Sequence, residues 1–531
     1  MVVSAPLTEP TGERLKRRLG FWGLTAIGFS NIVGSGWLFA ALYAAQTAGP
    51  AALLSWVAAG VLVTLVALVM VELGATRPEG GGTVRWPMQS SGRLVGSVIG
   101  VSVLLTVGGT AAEITAIMQY AAHYLPWLYF GGHISLAGSG VAAVQSAFLS
   151  ALNWYGVRLF ARLNSVLTVI KIVIPLLTVV ALIISGFAPR HLTDHGGFAP
   201  YGYSAVLSAL AVGGVVYSVN GFQAAADFAG EARNPRRTVP LAIITGIGLA
   251  VLVYLALQVA FLFAVPDSML TDGWQGVNFD SPFGQLALML NLQWLSLLLY
   301  ADAVISPGGS AYVGVAIDAR HTYALARNGV LPRSFADVEP RSGIPRKAVL
   351  LNLAVIVVFL LPYSGWQDVV SVVGDLYLLT YAAVAVSAAA FLVPGGPSLS
   401  GLVPGLRYIA PVSFVVASEF VYWSGWTHLR IALPLTLVGV PLFLIAWRRL
   451  PTDTLAVELR LGAWVVVYLV ALLVVSVLGS FDGTGTIGAP WDTVLVGLLA
   501  SAVYVDAVRS GRRYIASTNR DPSGIRSDKT G

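Results

Sequence analysis

The chain has 531 residues, of which 56% are hydrophobic and only 11% charged, with a formal net charge of +6 and a mean hydropathy of +0.78. That composition excludes a soluble multidomain enzyme and a disordered chain. The absence of cysteine excludes disulfides, thiolate metal sites and thiol nucleophiles, and the six histidines are scattered without metal-ligand spacing, so no metal or cofactor is expected.

Residues 1–20 read as a cytoplasmic tail. Glu13 to Arg18 is polar and basic, and the first apolar run continues into a full span, so no cleavable signal peptide is expected. Runs of about twenty apolar residues then predict membrane helices at 21–45, 50–74, 97–121, 139–159, 163–187, 203–227, 239–264, 290–318, 347–363, 368–393, 407–426, 431–447, 461–480 and 491–508. The fold class is therefore an all-α integral membrane protein with twelve to fourteen spans.

The first span is interrupted at its centre by Ile27-Gly28-Phe29-Ser30-Asn31-Ile32-Val33-Gly34-Ser35-Gly36-Trp37. Glycine carries a backbone-entropy cost in a helix, and serine and asparagine compete for its hydrogen bonds. Broken backbone survives at membrane depth only where protein or a water-filled cavity satisfies it. The half-helix after Gly36 would aim free N–H groups and a positive dipole end at that depth, which suits a carboxylate. The same small residues also permit close helix packing, and the sequence leaves both readings open.

Further along, Glu113 lies mid-span in helix 3 and Lys171 in helix 5. Lys171 is nine residues beyond Arg162, roughly 13 Å along a helix and near the bilayer centre. Pro175 cannot donate to the carbonyl of residue 171, which loosens the backbone there. A buried lysine loses affinity for its proton through desolvation, so Lys171 reads as a titrating group or as a structural lysine held by carbonyls. Glu113 is placed to pair with it. Helix 6 carries a second break, Gly213-Gly214-Val215-Val216-Tyr217-Ser218-Val219-Asn220-Gly221-Phe222. Helices 1 and 6 are five apart, so a repeated five-helix unit would be inverted. Matched breaks in inverted halves point to a transport site. Asp302 in helix 8 and Asp375 in helix 10 are further intramembrane acids, each either a structural partner or part of transport. Glu72 and Glu419 read as structural.

Counted from inside with an even number of spans, all but three of the 31 lysines and arginines fall in cytoplasmic segments. The exceptions are Arg190 and Arg430 outside and Lys171 within a span. This asymmetry places both termini in the cytoplasm and accounts for the net charge without nucleic acid. The basic inner face would also meet anionic lipid.

Ser30-Asn31-Ile32-Val33-Gly34-Ser35-Gly36, Glu72-Leu73-Gly74 with Pro78 and Gly81-Gly82, Gly221-Phe222-Gln223 with Gly230-Glu231 through Pro240, and Tyr323 to Gly329 together resemble the amino acid–polyamine–organocation (APC) superfamily of permeases. Thr83-Val84-Arg85-Trp86-Pro87 and Gly36-Trp37 look most like the branch containing aspartate–proton symporters. Gln223 stands where many relatives have Glu, which removes an acid there. The resemblance implies a five-plus-five inverted-repeat core over 21–395, helices 11 and 12 over 396–450, an additional pair over 451–509 and a cytoplasmic tail at 510–531. It implies an amino acid substrate, with its carboxylate on the Gly34-Ser35-Gly36 amides, its ammonium facing the carbonyls of Ile32, Tyr217 and Asn220 beside Gly221, and the Tyr217 ring as a wall. Lys171 matches the position where sodium-coupled members of the fold bind their cation, so protons would couple there, with Glu113 and Asp302 assisting. The expected activity is proton symport of an amino acid across the cytoplasmic membrane. An amino acid or amine exchanger is the alternative, and a non-transporting sensor the alternative of another class. No sequence motif of a membrane enzyme is present.

Overall fold

The computed structural model describes residues 19–77, 81–154, 157–211, 213–228, 232–339, 343–361, 365–392, 399, 401–448 and 450–520. Most of the tail at 1–20, the end of the tail at 510–531, and Pro78, Gly230 and Glu231 of the expected motifs lie outside them. Each of the fourteen expected apolar segments meets a helix or a broken helix.

The first span is α1 (Phe21–Ile32) and α2 (Gly36–Ala48). Next come α3 (Ala52–Thr76), the loop helix α4 (Gly82–Ser91), and α5 (Arg93–Leu105) with α6 (Gly108–Ala121). Then follow α7 (Leu136–Asn153) and α8 (Val157–Ser185). The sixth span is in three pieces: α9 (Ser204–Ala211), α10 (Val215–Ser218) and α11 (Gln223–Asp227). After it come α12 (Pro235–Ala264), α13 (Pro282–Met289), α14 (Gln293–Arg327), α15 (Arg346–Phe359) and α16 (Trp366–Phe391). The chain closes with α17 (Leu406–Trp423), α18 (Trp426–Leu437), α19 (Gly439–Ala446), α20 (Thr452–Leu478) and α21 (Trp491–Arg520). Among the described residues the only sheet is a hairpin pairing β1 (Tyr129–Phe130) with β2 (His133–Ile134).

Eight stretches among the described residues are long and apolar enough by themselves to cross a membrane, or nine if the bent pair Ser204–Leu210 and Val215–Ala226 is one span. That number falls below the expected spans partly because Gly36–Thr76 counts once while holding the second half of the first span and all of the second, and because α1, with 12 residues, and α15, with 14, are too short to cross by themselves. Several helices outrun their apolar runs; α20, for one, begins at Thr452, nine residues before the expected start at 461. α14 continues to Arg327 and α21 to Arg520, so residues 510–520 are helical rather than tail.

Burial explains how the helices are turned. On α8, Val166, Val169, Val173, Leu176, Val180 and Ile184 are exposed at helical spacing, as a lipid-facing stripe should be. Lys171, Ile174, Thr178 and Leu182 are buried on the opposite face. α1 packs against α8, α11, α12 and α14, while α6 packs against α14 and α16. The final pair rests on α17, with α21 also along α16 and α20 along α5.

Candidate functional site

The site is assembled where the two broken spans meet. At the end of α1, Val33 leaves helical geometry (φ −84°, ψ 87°) and its N–H bonds to the Phe29 carbonyl. The Gly34 N–H folds back onto the Ile32 carbonyl at 3.1 Å. In the sixth span, Gly214 takes φ +71° and Gly221 φ +103°, both in the left-handed region that favours glycine. A Cβ on Gly221 would lie 2.7 Å from the Asn31 carbonyl oxygen, so only glycine lets the breaks touch. Asn31 Nδ2 donates to the Gly221 carbonyl at 3.1 Å and joins them.

Glu113 reaches into this junction from α6. The Ser35 N–H, at the start of α2, donates to Glu113 Oε2 at 2.6 Å. Tyr217 Oη donates to Glu113 Oε1 at 3.1 Å and also lies 3.3 Å from the Gly109 carbonyl. A Cβ on Gly34 would fall 2.4 Å from Glu113 Oε1, so Gly34 exists in this structure to admit the carboxylate. A negative charge at a helix N-terminus is favourable through the free N–H groups and the dipole. The amide expected to receive a substrate carboxylate is thus bonded to a carboxylate of the protein itself.

Gly36 is placed differently. A Cβ there would lie 2.3 Å from Ser218 Oγ, so Gly36 makes a close packing contact with α10. The Ile32 carbonyl accepts from Tyr254 Oη of α12 at 3.1 Å as well as from Gly34. The Tyr217 carbonyl accepts the Asn220 N–H at 3.0 Å, closing the turn after α10. Asn220 Oδ1 and Gln223 Oε1 both accept the Gly221 N–H, at 2.9 and 3.0 Å, and both accept Tyr381 Oη of α16. Asn220 Nδ2 is buried without a partner.

Lys171 is fully buried on α8. Its ammonium donates to the Ser30 carbonyl of α1 at 2.6 Å and to Ser310 Oγ of α14 at 2.7 Å. Ser310 Oγ in turn lies 3.0 Å from the Ser30 carbonyl and 3.3 Å from that of Val33. One side chain therefore ties three helices together at the edge of the break. No hydrogen bond joins Lys171 to Glu113, although their charges interact: the hydrogen bonds of Lys171 run to Ser30 and Ser310, and those of Glu113 to Ser35 and Tyr217. Asp302 stands two turns away on α14, where both its oxygens accept from Ser306 Oγ, at 2.8 and 2.7 Å. Asp375 accepts from Ser424 Oγ of the segment after α17, and Glu72 accepts the amides of Gly401 and Val403.

A small cavity and a buried tryptophan both border the break. A cavity of about 50 Å³ is lined by the end of α1 (Asn31, Ile32), by Thr106 to Glu113, by Tyr217 to Gln223, and by Ser310 to Asp318 and Tyr377. At roughly 10–15 Å³ per water it holds a few waters, not a substrate. Asp318 at its far wall accepts from Thr110 Oγ1 at 3.2 Å. Trp366 is fully buried, and its Nε1 donates to Ser35 Oγ at 2.7 Å. Its ring stacks on Phe39 and Tyr43 (4.9 and 5.7 Å between centroids) and meets Tyr217 edge-on at 6.1 Å.

Trp366, Ser310, Asp318, Tyr381 and Tyr254 were not singled out by sequence reasoning. Trp366 is one aromatic among 14 tryptophans, and only its distant contact with Ser35 distinguishes it. Asp318 is, like Asp302, a carboxylate within the expected eighth span, at its very end. The structure also gathers two of the scattered histidines. His191, His195 and Asp267 present ligand atoms all within 4.8 Å of one another.

The chain matches the amino acid permease family across residues 19–491. The glutamate/serine transporter AimA of Bacillus subtilis (strain 168) is 36% identical over 511 residues, covering 94% of this chain and 95% of that protein. The aspartate–proton symporter of the same organism is 34% identical, covering 93% of this chain and 97% of that protein. Human cationic amino acid transporter 4 is 29% identical over 400 residues, covering 72% of this chain and 61% of that protein.

Proposed function

Because the chain belongs to the amino acid permease family, whose members here are membrane transporters rather than enzymes, we propose that this amino acid transporter imports its substrate by proton symport with alternating access. The observation that carries the reading is the bridge from Lys171 to Ser30 and Ser310. An ammonium there occupies the junction of α1, α8 and α14. Its protonation state sets how strongly the break is tied to both neighbours. A neutral amine keeps only two hydrogens and loses the charge that strengthens both bonds.

Glu113 supplies the second half of the coupling. An ionised carboxylate only accepts hydrogen bonds, so Glu113 and a substrate carboxylate compete for the Ser35 N–H. A proton on Glu113 removes the charge that holds it to that amide. The substrate carboxylate then takes the amide, and the substrate ammonium meets the carbonyls freed as the break opens. Substrate and proton thereby favour each other's binding, and the effect is reciprocal. In this arrangement the substrate fills the junction as Glu113 swings out, which also enlarges the small cavity. The Trp366 plug marks the extracellular side, and the polar cavity toward Asp318 the cytoplasmic side, in the orientation that the lysines and arginines favour. Both termini are then cytoplasmic and the membrane is the plasma membrane. The names of the two bacterial relatives point to an acidic amino acid or serine as substrate.

The test is uptake into proteoliposomes of labelled aspartate, glutamate and serine, with and without an imposed proton gradient. Accumulation driven by an acidic exterior, without sodium, is the expected result. Exchange of internal for external substrate with no gradient-driven accumulation would instead establish an exchanger.

A further inference from the structure

Outside the transport pathway, the loop after α8 and the loop after α12 meet at one cluster. His191 is buried, with Nδ1 3.0 Å from the Leu262 carbonyl and Nε2 2.7 Å from Asp267 Oδ1. The Leu262 oxygen can only accept, so Nδ1 carries a hydrogen. Nε2, the other ring nitrogen, faces the Asp267 carboxylate, the side from which it can ligate a metal ion. His195 closes the third side, its ring centroid 5.8 Å from that of His191.

We propose that His191 Nε2, His195 and Asp267 form a binding site for a divalent transition-metal ion, with zinc as the best fit. Two imidazoles and one carboxylate, with a fourth position for water, are a ligand set that zinc takes in tetrahedral geometry. At metal–ligand distances of about 2.0–2.2 Å, tetrahedral donors stand roughly 3.3 Å apart. The three donor atoms here already lie within 4.8 Å of one another, so shifts of the order of 1 Å complete the site. His195 and Asp267 have the exposure to make those shifts, while the buried ring of His191 is fixed. The Nδ1–H bond to Leu262 is the outer hydrogen bond that metal-ligating histidines almost always make to a carboxylate, carbonyl or water. Arg190, paired with Asp267, has an exposed side chain and swings aside into solvent.

In the orientation proposed above, the site joins the outer ends of two spans, α8 and α12. Ala188 already donates to the Phe263 carbonyl at 3.1 Å between the same two segments. A metal ion would clamp the end of α8, the helix that carries Lys171, to the end of α12. An ion bound there therefore slows any transport step that separates the two, as an external brake.

The direct test is binding, which stands whatever the transported substrate is. The full chain, purified in detergent with its affinity tag removed and treated with chelator, is titrated with Co²⁺ and then Zn²⁺. The expected result is one equivalent of Co²⁺ with intense tetrahedral visible bands, displaced by Zn²⁺, and a raised thermal midpoint with Zn²⁺. His195→Ala removes a ligand that makes no hydrogen bond in the structure, so the variant should fold. It should bind Zn²⁺ at least tenfold more weakly and lose the tetrahedral bands. Asp267→Asn should do the same. In transport, external Zn²⁺ should slow substrate exchange by the wild type and leave His195→Ala unaffected. Absence of the tetrahedral bands in the wild type overturns the proposal. Bands that persist unchanged in His195→Ala overturn it equally.

Discussion

Glu113→Gln separates a competitor for the substrate from a structural acceptor. In the structure the Glu113 carboxylate accepts from the Ser35 amide at 2.6 Å and from Tyr217 at 3.1 Å. Hydrogen bonds to a charged group contribute roughly 1.5–3 kcal/mol and neutral ones roughly 0.5–1.5 kcal/mol. Glutamine keeps a carbonyl acceptor of the same reach but loses the charge, so its hold on the amide weakens by about 1–1.5 kcal/mol. A substrate carboxylate that must displace it gains that difference, which is about a five- to tenfold lower Kd. The sign with pH follows. In the wild type, acid protonates Glu113 and strengthens substrate binding, so affinity rises as pH falls. In Glu113→Gln affinity is already high and flat across that range, and accumulation driven by a pH gradient falls. The assay is equilibrium binding of labelled substrate to purified protein over a series of pH values, paired with gradient-driven uptake in liposomes. Weaker binding at every pH, with the wild-type pH dependence intact, would refute the competition and leave Glu113 as a brace for the break.

Lys171→Ala should abolish accumulation driven by an acidic exterior while substrate-for-substrate exchange survives at least in part, measured in the same liposomes. Gly36→Ala should lower the thermal midpoint by the about 1–3 kcal/mol of an overpacked contact, because its Cβ would sit 2.3 Å from Ser218 Oγ. Gly36→Ala with Ser218→Gly should recover most of that loss and of transport; a binding role for Gly36 alone predicts recovery of stability without recovery of affinity. Trp366→Phe keeps the stack on Phe39 and Tyr43 but deletes the bond to Ser35 Oγ. It should make the outer side easier to open, by roughly 0.5–1.5 kcal/mol, seen as faster labelling of a cysteine introduced behind the plug.

The sequence made legible what local chemistry decides. Glycines with φ +71° and +103° in the sixth span mark its breaks by composition because the backbone demands them there, while Gly34 and Gly36 in the first are required by the close approach of Glu113 and Ser218. Lys171 was legible because a charge at that depth always needs an explanation. Partners were not legible, because they come from elsewhere in the chain. Glu113 reaches Ser35 across 78 residues, Trp366 reaches it across 331, and Asp267 reaches His191 across 76. A pairing of Lys171 with Glu113 follows naturally from charge alone. No hydrogen bond joins them: Lys171 takes the Ser30 carbonyl and Ser310, Glu113 takes the Ser35 amide and Tyr217, and the two charges act on each other only through space. Asp302 shows the opposite case: it looked in need of a distant partner, and found Ser306 one turn along its own helix. The ends of α14 and α21 were misjudged for a related reason. Hydropathy ends a span at its first cluster of charges, but a charge can stay at depth when protein rather than lipid surrounds it. Asp318 accepts from Thr110, the Arg320 guanidinium lies 4.3 Å over the Phe228 ring, and Tyr514 Oη donates to Glu458, so both helices run on past their apolar windows. Composition thus fixes where the backbone must break and which charges must be answered, and only the packing of distant helices decides what answers them.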